Sequence, residues 1–307
     1  MCIRDSYYDP HRSRKPCKQE ADRLLMEAKR RELVPLALLW GAGIATLVIL
    51  IVILAYILAN GLPVISWHFL TGEPALWGQT GGGIYSTIVA TLAVTSISLL
   101  VAAPLSVGGA IYLNEYTKET SLRMVIRQAA EILAGIPSII VGLFGFLFFV
   151  IYLAPFTGGW SMISGGLTLA FMVLPISLRT SEEALKTVPA ELREGSLGLG
   201  ATKWQSITTV VLPTALPGII TGLILGVGRA VGETAAILLT AGGSLNLIQS
   251  LRDPGRPMTL NIYNVLTEYR DTTTAYGTAA VLVIAILAIT LITDLLMNSY
   301  TKKLKGL

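Results

Sequence analysis

Two charged residues lie inside a long apolar stretch of this sequence. Arg229 and Glu233 are the only Asp, Glu, Lys or Arg residues within 214–241. Moving one such charge to the centre of a bilayer costs from about 3 kcal/mol on insertion scales to more than about 10 kcal/mol for an isolated helix. A guanidinium is always charged, and its fork of donors suits tetrahedral oxyanions. The pair therefore has two interpretations. Either Glu233 neutralises Arg229 so that a helix can insert, or Arg229 contacts an anion that crosses the membrane and Glu233 holds it in place between transport events.

Glycines accompany the two charges along one helical face. At about 100° per residue, Gly218, Gly222 and Gly226 fall with Arg229 and Glu233 in a stripe about 80° wide. Small residues spaced by four let helices approach closely, so we expect this face to pack on another helix or to border a polar cavity. The spacing also allows an ion pair between Arg229 and Glu233. Arg229 is about 15 residues from the predicted end of the span, which would place it near mid-membrane.

The composition is typical of a membrane protein. Of the 307 residues, 53% are hydrophobic and 14% are charged, whereas roughly a quarter of the residues in soluble domains are charged. The net charge of +4 comes from Lys and Arg in tails and loops, a distribution that sets membrane orientation and does not indicate nucleic-acid binding. Cys2 and Cys17 both lie in the polar N-terminal tail and predict neither a disulfide nor a metal site.

Six segments are long and apolar enough to cross a bilayer, which takes about 20 residues per helix. They are residues 33–59, 84–112, 132–153, 160–178, 214–241 and 275–298. We therefore predict an all-α integral membrane protein with six transmembrane helices, the second of which could tilt or break near Pro104. Residues 1–32 form a polar tail without the apolar core of a signal peptide, so the first span is expected to be a retained anchor.

Lys and Arg are concentrated on one side of these spans. Nine lie in the N-terminal tail, three between the second and third spans, four between the fourth and fifth, and three after the last. The other side holds only Arg252, Arg256 and Arg270. Because basic loops resist translocation, both termini are predicted to be cytoplasmic.

The longest internal loop on the predicted cytoplasmic side, residues 180–213, has the pattern of a helical hairpin. Thr180 or Ser181 could cap a first helix, and Pro189 suits the start of a second, amphipathic one. Gly200 would end that helix in the left-handed conformation, and residues 201–211 could form another helix that leads into the membrane. From these residues alone, the hairpin is either a docking surface for a cytosolic partner or an ordinary linker.

Within this loop, E-G-S-L-G-L-G at 194–200, followed after nine residues by V-V-L-P at 210–213, resembles the EAA motif of ATP-binding-cassette (ABC) importer permeases. The family pattern is E-A-A-x-x-x-G, nine residues, then I-x-L-P; here Gly195, Ser196 and Val210 replace two alanines and an isoleucine. The resemblance covers about residues 81–303. It implies the MetI-like fold of type I importers, in which this loop is a coupling helix that docks onto an ATPase subunit. The coupling residues it implies are Glu194, Gly195, Gly200, Ala201, Leu212 and Pro213.

Three further stretches resemble the phosphate-specific permeases of the PstA and PstC types. They are G-R-A-V-G-E-T-A at 228–235, the run that begins A-E-I-L-A-G-I-P-S at 130–138 and ends at 145, and G-G-G-I-Y-S-T at 81–87. The chain length and M-T-L-N-I-Y at 258–263 favour the PstA type. The resemblance implies a subunit of an inorganic phosphate importer in the bacterial inner membrane, with Arg229, Glu233, Pro137 and Ser138 along the substrate pathway. The implied partners are a PstC-type permease, a dimer of PstB-type ATPase subunits that binds the ATP, and an external PstS-type phosphate-binding protein.

The third span has features of its own. Pro137 would break or kink it, which could either aim free amide groups at an anion or serve packing. Glu131 and Arg179, near the ends of the third and fourth spans, are expected to pair with loop or interfacial groups rather than to bind a ligand.

Several activities are excluded by missing motifs. The sequence has no G-x-x-x-x-G-K-[ST] loop, so the chain itself is not expected to bind ATP, and no other cofactor is predicted. It also lacks H-E-x-x-H, G-x-S-x-G and clustered carboxylates, so we predict a transport subunit rather than an enzyme. Two alternatives remain. One is a secondary transporter with Glu233 as proton carrier, although the sequence shows no internal repeat. The other is an ABC importer of sulfate or molybdate, because charge and fork geometry do not choose between tetrahedral anions.

Overall fold

Apolar runs of 20 or more residues fold as helices in a membrane because only a helix satisfies all its backbone groups internally. The computed structural model describes residues 15–74, 82–117 and 121–304, and within these ranges it is helical and contains no β-strand. The helices are α1 Lys15–Gly61, α2 Trp67–Thr71, α3 Tyr85–Ile111, α4 Ser121–Gly135, α5 Ser138–Gly145, α6 Ala154–Thr157, α7 Met162–Lys186, α8 Ala190–Gly198, α9 Lys203–Ser206, α10 Leu212–Gly232, α11 Ala235–Thr240, α12 Met258–Asn264 and α13 Thr272–Leu304. A 3₁₀ turn spans Leu62–Val64, and wider π-helical turns span Tyr112–Tyr116, Phe146–Tyr152, Ile207–Val211 and Val265–Tyr269.

Five helical segments of the described ranges could cross a membrane by length and composition. They are Pro35–Val64, Tyr85–Tyr116, Met162–Lys186, Lys203–Gly232 and Thr272–Met297. Arg123–Gly135 and Ser138–Tyr152 together form a sixth that is bent by 101°. Counting the bent pair as one span, the predicted all-α architecture with six spans is confirmed.

The chain divides into two units, residues 1–56 and 57–307. The first, described from residue 15, is the main part of α1, which therefore begins inside the predicted polar tail. Its apolar side chains from residue 35 onward are almost all exposed, with Leu38 at 70% and Trp40 at 68%. In a bilayer, a surface of this kind is covered by lipid or by a neighbouring protein. Cys2 and His11 lie outside the described residues.

The second unit is built around α7, which packs against α3 and α10. Its core includes Val94 of α3, Leu169 and Val173 of α7 and Ala230 of α10, all at most 1% exposed. α3 continues through Pro104, so the break considered there does not occur. The middle of the unit is therefore a three-helix core, and the remaining helices pack around it.

The fourth span is longer than predicted, and the third has the predicted break. α7 continues to Lys186 instead of ending at residue 178, so Thr180 and Ser181 lie inside a helix and are not N-caps; the Thr180 hydroxyl donates to the Ile176 carbonyl at 3.0 Å. The third span breaks where Pro137 predicted, because proline offers no amide hydrogen and restricts the residue before it.

The prediction of one continuous fifth span, 214–241, is wrong. α10 ends at Gly232, and Glu233 has the extended conformation with φ −79° and ψ 131°. The break satisfies its own polar groups: the Glu233 carboxylate accepts a hydrogen bond from the Ala236 amide at 3.3 Å, and the Glu233 carbonyl accepts one from the Thr259 hydroxyl at 2.8 Å. Glycine at 232 lowers the helix propensity at this point.

Candidate functional site

The glycine face of α10 packs on α7, as the sequence predicted. A Cβ atom added at Gly218 would lie 2.7 Å from the Cβ of Ala184, and one at Gly226 would lie 2.7 Å from Val173 Cγ1. Gly222 is closer still, against the Thr180 side chain. The three glycines therefore let the backbone of α10 approach α7 to a distance that no larger residue would permit.

Arg229 lies beyond this contact, in the last turn of α10, and its side chain is exposed. It makes no ion pair or side-chain hydrogen bond with any residue that the structure describes. The ion pair with Glu233 that the spacing allows does not form, because the helix ends between the two residues and the i, i+4 geometry is lost. The helix therefore ends three residues after Arg229, and the position of Arg229 near mid-membrane stays a prediction.

The end of a helix is itself a favourable place for a cation, since the last carbonyl groups carry partial negative charge. The surroundings of Arg229 are also open, because a Cβ added at Gly228 or Gly232 would meet nothing within 4 Å. A guanidinium that is held at a helix end, and that no described carboxylate neutralises, has its donors available for an external anion.

The break at Pro137 is close to the break after α10, because α5, which follows the first break, packs on α11, which follows the second. A Cβ added at Gly142 of α5 would lie 2.7 Å from the Cα of Ala236, so the two short helices are in close contact. Pro137 precedes α5 with φ −55° and ψ 135° and is exposed, while Ser138 is half-buried. The structure thus packs two broken helices against each other, and each break carries predicted pathway residues. Among the described residues, Arg229 and Ser138 are not joined by a hydrogen bond.

The predicted coupling hairpin is formed by α8 and α9. Pro189 precedes α8 in an extended conformation, and Gly200 follows it with φ +88°, the left-handed region that favours glycine. α9 begins with a capping box in which the Thr202 hydroxyl accepts from the Gln205 amide and the Gln205 side chain accepts from the Thr202 amide. Ala201, just before this cap, is half-buried. The geometry of the hairpin follows the local sequence signals.

α8 buries none of its side chains in this chain. Leu192, Leu197 and Leu199 are 44%, 47% and 92% exposed, and Glu194 and Gly195 are exposed with them. At the other end of the loop, Leu212 and Pro213 are half-buried, and Leu212 packs on a buried cluster that includes Leu185 and Val211. The hairpin therefore presents an apolar and acidic surface on a well-packed base.

A group of ion pairs between α4 and α7 was not foreseen from the sequence. The Glu182 side chain is 6% exposed; its Oε1 atom lies 3.2 Å from Arg123 Nη2 and 3.3 Å from Lys186 Nζ, and Arg127 is paired with it as well. The available signal was the i, i+4 spacing of Arg123 and Arg127. These cations explain why α7 stays helical through its polar end.

A cavity of about 280 Å³ lies beside these ion pairs, lined in part by α4 and α7. Its lining includes three cations and three carboxylates, namely Arg127, Glu131, Arg179, Glu182, Glu183 and Lys186. The charges balance, so the cavity does not favour an anion. Arg179 lies 3.6 Å from Glu131 and 3.3 Å from Glu183, so it pairs with carboxylates of helices α4 and α7 rather than with loop groups.

The comparisons with known proteins agree with this geometry. Residues 106–306 match the family model for the binding-protein-dependent transport system inner membrane component. The chain is 36% identical to the probable ABC transporter permease protein YqgI of Bacillus subtilis over 273 residues, which cover 83% of this chain and 91% of YqgI. It is also 36% identical to the phosphate transport system permease protein PstA 2 of Mycobacterium bovis over 221 residues, 71% of each chain.

Solved structures show the same fold at low sequence identity. A chain of a bacterial alginate ABC transporter, crystallised in complex with a periplasmic protein that binds an alginate pentasaccharide, gives a TM-score of 0.61 at 18% identity, covering 91% of this chain and 98% of its own. A chain of the MetNI methionine ABC transporter in an inward-facing conformation gives 0.56 at 20% identity, covering 71% and 94%. The MetI-like fold is therefore confirmed.

The relatives are permeases, in agreement with the prediction of a transport subunit rather than an enzyme. The matched family, the extent of the match and the multi-pass helical architecture lead to one conclusion. This chain is a multi-pass inner-membrane protein that belongs to the family of binding-protein-dependent transport system inner membrane components, the permease subunits of ABC transporters.

Proposed function

We propose that the chain is a PstA-type permease subunit of an ATP-driven inorganic phosphate importer and forms half of its translocation pathway. The observation that carries the proposal is Arg229, an exposed guanidinium at the end of an apolar helix with no carboxylate partner among the described residues. Its planar fork of donors matches the oxygens of a tetrahedral anion. The PstA relatives, which are named as phosphate transport system permeases, favour phosphate as that anion.

The proposed assembly pairs this chain with a homologous PstC-type permease. A dimer of PstB-type ATPase subunits binds and hydrolyses the ATP, and a PstS-type external protein delivers phosphate. The termini are cytoplasmic in this proposal, because the basic loops lie on that side. The exposed face of α8, with Glu194 and Gly195, is the surface offered to the ATPase, and Gly200, Ala201, Leu212 and Pro213 set its orientation.

The test is phosphate uptake by the complete complex with Arg229 substituted. We expect Arg229→Ala to abolish uptake while the complex still assembles, because the anion loses its fixed cation. Arg229→Lys should restore a small part of the activity, since an ammonium keeps the charge but not the fork. Arg252→Ala, which removes an exposed arginine elsewhere, is the matched control. Normal uptake by an assembled Arg229→Ala complex would reject the anion-binding role.

Anion selectivity is tested separately by competition. Excess sulfate or molybdate should leave labelled phosphate uptake unchanged in the reconstituted complex. If either anion competes as well as unlabelled phosphate does, the substrate assignment is wrong and an importer of another oxyanion takes its place. Uptake should also stop on ATP depletion and survive collapse of the proton gradient, and the reverse result would indicate a secondary transporter.

A further inference from the structure

Helix α8 has very little to hold it in place. None of its residues is buried, and it contacts only α9 and the π-helical turn Ile207–Val211 extensively. A helix of nine residues is not stable by itself in water. Its orientation must therefore come from a few specific contacts, and these can be identified.

Arg193 supplies most of them. Its Nη1 donates to the carbonyl of Val188 at 2.8 Å, and its Nη2 donates to the carbonyl of Leu185 at 2.7 Å. These carbonyls lie at and just beyond the end of α7, where the helical ladder of amide donors runs out. The Leu185 carbonyl also accepts the Val188 amide, at 3.4 Å, so Arg193 adds a shorter second hydrogen bond there. One side chain on α8 thus caps α7 and fixes the corner between the two helices. The corner is rigid on its other side, because Leu185 and Val188 are 0% and 3% exposed.

The same guanidinium also reaches a third element. Its Nη2 lies 3.2 Å from Oε1 of Glu115, in the π-helical turn that follows α3. The side chains of Arg193 and Glu115 are only 23% and 10% exposed, so solvent weakens this pair less than it would a surface pair. Asn114 donates to the same carboxylate oxygen at 2.9 Å and holds it in position.

A second contact holds α8 near its C-terminal end. The hydroxyls of Ser196 and Ser206 are 2.5 Å apart and join α8 to α9, which continues into α10. α8 is therefore connected to α10 through serine and to α7 and α3 through arginine. Apart from the short link 187–189 between α7 and α8, the arginine connection is the one that joins α8 to the two helices that form the core together with α10.

We propose that Arg193 is a positioning residue for energy coupling, and this rests on the proposed docking of an ATPase on α8. When the ATPase displaces α8, the Arg193 contacts pass the displacement to α7 and α3, so that the three core helices move together. Without Arg193, α8 stays docked but is joined to α7 only through the short link 187–189 and no longer to α3, so ATP hydrolysis drives the core less efficiently.

The experiment uses the complete complex in vesicles with the phosphate-loaded binding protein outside. Three quantities are measured: ATPase subunit retained on purification, ATP hydrolysed and phosphate transported. In Arg193→Ala we expect normal retention of the ATPase and about a tenfold loss of phosphate transported per ATP hydrolysed. Arg193→Lys should recover part of the ratio, because an ammonium can bind one carbonyl but cannot reproduce the fork. Arg252→Ala should match the wild type.

A second variant covers the case in which Arg193→Ala does not assemble. Glu115→Gln leaves α8 and its carbonyl contacts unchanged and removes only the charge, so we expect about a threefold lower ratio. A wild-type ratio in assembled Arg193→Ala overturns the proposal, as does a wild-type ratio in Glu115→Gln when Arg193→Ala cannot be assembled. If the wild-type chain itself retains no ATPase subunit, the proposed function fails first, and the role of Arg193 fails with it.

Discussion

Glu182 of α7 accepts two hydrogen bonds from the Nε atom of Arg127 of α4, at 3.1 and 3.2 Å, across 55 residues of sequence. Nη2 of Arg127 is paired with the same carboxylate, and Arg123 adds a further charged contact from the same helix. The bend at Pro137 directs α4 away from α5, and these contacts fix α4 to α7 at the end that leads into α8. The buried Glu182 carboxylate thus connects the C-terminal end of α7, which leads into α8, to α4, the first half of the broken third span.

The first prediction concerns this carboxylate. Glu182→Gln should lower the free energy of unfolding by about 3 kcal/mol, because it leaves clustered cations without their counter-charge. Thermal unfolding of the purified protein in detergent measures the effect. Glu183→Gln is the matched control; its side chain is 62% exposed, so we expect a change below about 0.5 kcal/mol. Equal effects in the two variants would contradict the structural role of Glu182.

The second prediction concerns the seam between α7 and α10. Gly222→Ala places a methyl group against the Thr180 side chain, and we expect a loss of about 1–3 kcal/mol from overpacking. Gly228→Ala, on the same helix but with nothing within 4 Å of the new Cβ, should be neutral or gain up to about 1 kcal/mol from helix propensity. Chemical unfolding of both variants distinguishes them. A stable Gly222→Ala would mean that the helices lie further apart than described.

The third prediction concerns the turn after α8. Gly200 has φ +88°, so Gly200→Ala should cost about 1–2 kcal/mol locally and loosen the hairpin. We expect less ATPase subunit to be retained on purification of the complex. Gly198→Ala, inside α8 and without a close neighbour, should retain the wild-type amount. Full retention by Gly200→Ala would show that the left-handed turn is not needed for docking.

The fourth prediction separates the two roles open to Glu233. The side-chain oxygen of a glutamine can still accept the Ala236 amide, so Glu233→Gln should keep the break between α10 and α11 and most of the uptake. Glu233→Ala loses this cap, at about 1 kcal/mol, and should transport less. A proton carrier would behave differently, because Glu233→Gln would then be as inactive as Glu233→Ala.

Hydropathy was sufficient to predict the number of spans, and two turn residues were sufficient to predict where α8 begins and ends. Both depend on signals within about 20 residues of sequence: apolar length for the spans, and Pro189 and Gly200 for α8. The break at Pro137 was predictable for the same reason, since it follows from the missing amide of one residue.

The features that sequence reasoning missed depend on contacts between distant residues. Residues 179–186 look like the start of a loop until Arg123 and Arg127 are placed beside Glu182, which allows α7 to continue. The end of α10 at Gly232 depends on Thr259, which satisfies the carbonyl of Glu233 from α12. Arg229 and Glu233 lower the hydropathy at this point, but the apolar segments on both sides made the stretch long enough to be interpreted as one span.

α7 contains no non-helical residue between Met162 and Lys186, a length of about 36 Å. The helix is continuous through Pro175, so a tilt imposed at one end can be passed to the other. That far end is itself tied to a loop, because the amides of Met162 and Ile163 donate to the carbonyls of Asp253 and Leu251. A spectroscopic probe attached at residues 251–253 would therefore report a movement of α7 that begins at Lys186, at the other end of the helix.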